Sequence, residues 1–256
     1  MQKKDNMFKA IFLILLSSMC AVGQTTIFKM ARRNDNASLV DYFTVRCTVG
    51  STMFLLVNYF QQIDHFDLPA GKSPLGWLSI MILRSVSGTC TFFLYCAGVL
   101  YAPVSIAFMI YNTNPFLISI FAFLLLGETI HRFEINGMIL CFVGMCVLSL
   151  KSMGRNSVEA SNGNTMTLGM VLEFVAACTQ ANTIIQTRRM KEIKTQVIML
   201  VNFVFGLILA IGIILFLKVT IDRPISLFTI PTSLLLKLSL GGAVESTGVF
   251  CFTAAF

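Results

Sequence analysis

Long apolar stretches, each about the length of a membrane-crossing helix, alternate along this chain with short polar connections. Eight can be placed, at 8–28, 39–60, 75–97, 104–126, 133–150, 166–186, 196–217 and 234–256. A helix needs about 20 mainly apolar residues to cross a hydrocarbon core of ~30 Å, and each stretch is of that order. The connection between the third and fourth is little more than "YAP" (101–103), and none could hold an extramembrane domain. Continuous runs such as "IFAFLLLG" (120–127) lack the alternation that a membrane β-barrel requires. The pattern predicts an all-α polytopic membrane protein.

An internal repeat organises these spans. Shifting the sequence by 158 lays Cys20 on Cys178, Thr25 on Thr183 and Ile27 on Ile185, with Gln24 on Asn182. The same shift lays Val86 on Val244, Thr89 on Thr247, Phe92 on Phe250 and Ala97 on Ala255. Five spans per repeat is an odd number, so the second copy would enter the bilayer from the opposite face, an inverted repeat of the kind found in secondary transporters. The expected division is 1–151 for the first five-span repeat and 152–256 for the second. The offset puts counterparts of spans four and five beyond Phe256, so the second repeat is expected here with three spans. Lys3, Lys4 and "AVGQ" (21–24) imitate a signal peptide, but the partnership of span one with span six argues that span one is retained. Basic residues divide almost evenly between the two sides, with a small excess favouring a cytoplasmic amino terminus.

The polar exceptions inside the spans are the candidate chemistry. In "FMIYNTNPFLIS" (108–119), Pro115 removes one backbone hydrogen bond and displaces the carbonyl of Tyr111. A displaced carbonyl cannot face lipid; it must face protein or a wet cavity. Asn112 and Asn114 lie at the same depth but ~200° apart around a helix, so both cannot face one cavity squarely. A structural kink with asparagines bonded to neighbouring helices is the plainer alternative. Away from the span ends, four charged residues lie within spans: Arg46, Arg84, Glu173 and Glu245. Such groups usually point inward, pair, or serve transport. Arg84 and Glu245 sit near the middle of spans three and eight, which the repeat makes equivalent, and an ion pair between them is expected, open to competition by solute or proton. Glu173 and Gln180 are seven apart and share a face of span six, from which Asn182 is turned away. Gln24 is the repeat counterpart of Asn182.

Composition narrows the classes. The 256-residue chain is 56% hydrophobic and only 12% charged, against ~25% charged in a soluble domain. Its net charge of +7 is carried by the short connections rather than by a stripe, which speaks for positive loops and against nucleic acid. Eight cysteines, all in apolar spans and without a CxxC pair, suggest neither a disulfide framework nor a zinc site. His65 and His131 have no metal partner at useful spacing, and "AGKS" (70–73) lacks the glycine and strand of a phosphate loop. "NAS" (36–38) is a glycosylation sequon too close to span two for use. No catalytic set is visible, so no enzyme activity, cofactor or metal is expected.

Residues 84–150 resemble the EamA-type module of the drug/metabolite transporter superfamily. The resemblance is carried by Arg84 and Gly88, Pro115, "LLLGE" (124–128), and Gly137 and Gly144 in "GMILCFVGMCVLSL" (137–150). The region after Thr165 resembles the start of a second module. The resemblance implies a carrier of ten spans in two inverted repeats, with Gly127-Glu128 at the cytoplasmic end of span four. It also implies a cavity lined mainly by spans one, three, four, six, eight and nine. On that basis the expected solute contacts are Gln24, Arg84, Tyr111, Asn112, Asn114, Pro115, Glu173, Gln180, Asn182 and Glu245. The expected function is secondary transport of a small organic solute by alternating access around a midplane cavity. Family members move amino acids, nucleobases, sugars, sugar nucleotides or phosphorylated sugars, and Arg84 leans toward a negatively charged solute. The expected partners are that solute and the lipid bilayer of a plasma membrane or endomembrane, with a homodimer left open. The competing readings are a non-transporting membrane chain and, further off, a heptahelical-type receptor or channel.

Overall fold

The computed structural model describes residues 2–35, 37–62, 74–127, 129, 132–133, 135–140, 142–144, 147, 163–190, 192–221 and 231–254. Eight helices are defined: α1 (Gln2–Asp35), α2 (Leu39–Phe60), α3 (Pro74–Tyr101), α4 (Val104–Tyr111), α5 (Asn114–Leu126), α6 (Gly163–Arg189), α7 (Thr195–Ile221) and α8 (Thr232–Ala254). Every regular element among the described residues is helical. Among the described residues, seven stretches are long and apolar enough to cross a membrane, α4 and α5 together supplying one of them. Of the expected fifth span, only parts are described, helical at 135–140 and 142–144. Asn36, "AGKS" (70–73), His65, His131 and Glu128 lie outside the described residues.

Local chemistry explains why polar residues are tolerated within these helices. In α2 the hydroxyls of Thr44, Thr48 and Thr52 donate to the carbonyls of Val40, Thr44 and Thr48 at 2.8, 2.9 and 2.8 Å. Each hydroxyl is thus satisfied by its own helix and needs no water. The helix opens on Ser38, whose Oγ accepts from the amide of Val40 at 3.2 Å. At the other extreme, α5 ends on Gly127 with φ +68°, a left-handed conformation that glycine adopts without steric cost. That requirement accounts for the glycine in "LLLGE".

The expected kink at Pro115 is a full break. Helix α4 stops at Tyr111, Asn112 and Thr113 form a turn, and α5 restarts at Asn114 with Pro115 in its first turn. A proline is tolerated there because the amide it lacks would have no intrahelical partner. The Thr113 hydroxyl donates to the Ile110 carbonyl at 2.7 Å, and the Asn112 side-chain amide to the Phe108 carbonyl at 2.7 Å.

The chain divides into two compact units, residues 1–85 with 190–256, and residues 86–189. The division runs through α3, whose first part belongs to unit 1 and whose second part belongs to unit 2. This division differs from the expected one at 151, which rests on a sequence offset rather than on contacts. In unit 1, α1 packs on α8, and α2 packs on both α7 and α8. Unit 2 seats α6 against α4 and α5 and against the second part of α3. On the expected repeats, each unit would combine the first helix of one repeat with the third helix of the other.

Small residues set the close approaches, as expected where van der Waals packing must join helices without a hydrophobic driving force. A Cβ at Gly206 of α7 would meet Cys47 Sγ of α2 at 2.7 Å, and one at Gly50 of α2 would meet the Phe203 ring at 2.5 Å. Phe203 is fully buried and stacks on Phe54 at 5.7 Å between centroids, so the ring has nowhere to go. We expect Gly50→Leu to destabilise the fold by about 1–3 kcal/mol through overpacking. Gly212, with open space around its Cα, should accept alanine within about 0.5 kcal/mol. Thermal unfolding of the two variants in detergent reads the difference.

Candidate functional site

Unit 1 holds a buried ion pair, and it is not the expected one. Arg46 Nε of α2 lies 2.7 Å from Glu245 Oε1 of α8, while Arg84 of α3 donates from Nη1 to Asn202 Oδ1 of α7 at 3.2 Å. The expectation of an Arg84–Glu245 pair used depth alone, and depth leaves the direction around the helix open. Gly241 and Gly242 decide that direction. A Cβ at Gly242 would sit 3.0 Å from Arg46 Cα, and one at Gly241 3.2 Å from the Tyr42 ring. Glycines therefore bring α8 directly onto α2, and Glu245, one turn further along, meets Arg46 on the same face.

The pair is enclosed. Both side chains are buried, and the Arg46 guanidinium lies 5.3 Å from the Phe203 ring centroid and 5.9 Å from that of Phe43. Aromatic faces there add cation–π attraction to the ionic one. Glu245 Oε2 has no hydrogen-bond partner, leaving one lone-pair-rich oxygen for a donor. Gln24 is buried on α1 in the same unit. A second, exposed pair, Lys237 with Asp35 at 2.8 Å, ties α8 to the end of α1 and is worth at most about 1 kcal/mol.

Unit 2 holds a ladder of polar contacts between α3 and α6. Asn182 Nδ2 donates to Ser87 Oγ at 2.8 Å, and Thr91 Oγ1 to Thr179 Oγ1 at 2.9 Å. Gln186 Nε2 donates to Asn182 Oδ1 at 3.4 Å. At the far end Glu173 packs over Gly98, where a Cβ would meet its Oε1 at 2.6 Å. As numbering rises along α6 it falls along α3, so the two run antiparallel. The sequence placed Asn182 away from the face of Glu173; the structure brings both against α3. Gln180 is half-buried.

Span four contributes unevenly. Asn114 is buried and its Oδ1 has no partner, whereas Asn112 and Pro115 are exposed. That separation agrees with the ~200° between alternate residues. Tyr111 is half-buried and packs on Tyr95 with centroids 4.8 Å apart.

Sequence reasoning named Arg46 as an ionisable residue but gave it no partner, and it missed Asn202, Ser87, Thr91, Thr179 and Gln186. A usable signal existed for two of them. Asn202 is an amide in the most apolar helix of the chain, of mean hydropathy 2.9, and the Gly241-Gly242 pair one turn before Glu245 marks a close approach. Serine and threonine gave none, since their hydroxyls ordinarily return to their own helix.

Seven membrane-length apolar helices among the described residues define an integral multi-pass membrane protein of the all-α class. The profile of the EamA-like transporter family matches residues 8–150; the chain belongs to that family and is a membrane transporter of the drug/metabolite type. It is similar to an uncharacterized transporter of Clostridium kluyveri, 23% identical over 250 residues, covering 97% of this chain and 77% of the relative. A crystal structure superposes with a TM-score of 0.66 at 14% identity, over 97% of this chain and 78% of the solved one. At that identity the likeness concerns the fold alone.

Removing one member of the Arg46–Glu245 pair leaves an uncompensated buried charge, at a cost of about 3–5 kcal/mol, while replacing both with apolar residues is often neutral. Arg46→Met and Glu245→Leu should each lower the unfolding midpoint, and the double variant should recover most of the loss. A double-mutant cycle by thermal unfolding measures this.

Proposed function

We propose that the chain is a secondary carrier of a small organic solute, working by alternating access around a site near the bilayer midplane. The observation that supports this best is the interruption of span four. Carriers bind solute where a membrane helix is broken, because the freed backbone groups can then face a cavity instead of lipid. Here α4 and α5 meet at Asn112–Thr113, inside the membrane-length stretch Ile106–Leu126. Directly after the break, the buried Asn114 offers an unpartnered acceptor.

On this reading Pro115 keeps the break in place, and Tyr111, Asn112 and Asn114 supply contacts for solute. Arg84, Glu245 and the Gln24, Gln180 and Asn182 amides hold the enclosed polar groups that a moving site must expose in turn. The solute is a small organic molecule, and Arg84 favours one with negative charge.

The test is uptake into proteoliposomes containing the full-length chain, run with a panel of amino acids, nucleobases, sugars and sugar phosphates. Arg84→Ala and Pro115→Ala are each expected to abolish uptake of whichever solute the wild type carries, while membrane insertion stays intact. Normal uptake by both variants would remove the site assignment.

A further inference from the structure

Glu173 is the one acidic side chain of α6, and among the described residues of unit 2 no hydrogen bond answers its charge. It is 0% exposed, and neither carboxyl oxygen has a hydrogen-bond partner. Its carboxyl rests against the bare backbone of Gly98, which leaves just enough room for it: a Cβ there would meet Oε1 at 2.6 Å, Cγ at 2.7 Å and Cδ at 2.8 Å. Within unit 2, the helical segments packed on α6 carry no Asp, Glu, Lys, Arg or His. The second part of α3 (86–101) offers only Cys90, Tyr95, Cys96 and Tyr101 as titratable residues, α4 only Tyr111, and α5 none. On α6 itself the remaining titratable groups are Cys178, Arg188 and Arg189. Arg188 lies fifteen residues away, roughly 22 Å along the helix, and the described Arg132 is exposed.

An ionised carboxylate sealed without a counter-charge is so costly that such a group takes up a proton instead. We infer that Glu173 is a proton-binding site: its carboxyl is neutral while α6 is seated on α3, and it gives up the proton only when that contact opens. The proton comes from bulk water and returns to it; one O–H bond forms or breaks, and no other reactant is needed. The contrast with Glu245 supports the assignment. That carboxylate is equally buried but has Arg46 at 2.7 Å, so its charge is met by protein. Taken with the carrier reading, on which this consequence rests, loading and release of a proton at Glu173 would accompany each opening of unit 2.

Infrared spectroscopy of the purified full-length chain in lipid nanodiscs, titrated across the neutral range, tests the site directly. The wild type is expected to show at neutral pH the C=O stretch of a protonated acid free of hydrogen bonds. Glu173→Gln should lose that band while the amide bands, which report helix content, stay unchanged. A wild-type spectrum without the band, or a band of unchanged intensity in Glu173→Gln, overturns the assignment. Glutamine has the shape of the neutral acid, so a Glu173→Gln chain that fails to insert would mean that the ionised form is required, and would overturn it equally. Gly98→Ala gives an independent reading: displacing the carboxyl should shift the band to lower frequency or abolish it, and an unmoved band would contradict the placement of Glu173 on Gly98. None of these readouts involves solute flux. A chain with the band but no uptake keeps the proton site and fails only as a carrier, while uptake without the band has the opposite meaning.

Discussion

A charge inside the hydrocarbon region must find its answer within the protein, and the arrangement of unit 1 follows from the one that does. The Arg46–Glu245 contact at 2.7 Å requires α8 to lie directly on α2, which Gly241 and Gly242 permit and a larger residue would prevent. With α8 fixed there, Phe203 of α7 closes over the guanidinium, and Gly50 and Gly206 admit α7 closely against α2. Buried ion pairs add little net stability to a fold. What this one supplies is direction, since only one rotation of each helix satisfies both groups.

Unit 2 is held by different means. No ion pair joins α3 and α6 among the described residues; hydroxyls and amides do, at Ser87, Thr91, Thr179 and Asn182. In lipid-embedded proteins such contacts are individually worth about 0.6 kcal/mol, far less than a broken buried pair costs. The two units thus place their polar groups under unequal constraint: one is locked by charge, the other by a series of weak bonds that can be exchanged singly.

The class of fold was legible from the sequence because length and hydropathy alone decide what crosses a bilayer. The break in span four was visible too, since proline and two asparagines leave a helix few alternatives. Partner choice was not. Matching depth put Arg84 opposite Glu245, but depth says nothing about which way a side chain turns, and that was settled by glycines whose role shows only when a second helix lies against them. Asn182 was assigned away from Glu173 by helical spacing alone, yet both meet α3. The transport site itself was read from which residues are costly in lipid; that criterion selects them without saying which touch solute.

Gly98 and Glu173 occupy what is in effect a single volume. The carboxyl fills the space that a side chain at 98 would take, so neither position is free to vary alone. Among related chains, a residue larger than glycine at the first should be accompanied by one shorter than glutamate at the second. The loss of the acid would likewise leave a gap that alanine or serine at 98 could fill. A substitution harmless in one family member would then be harmful in another, according to what stands across the helix contact.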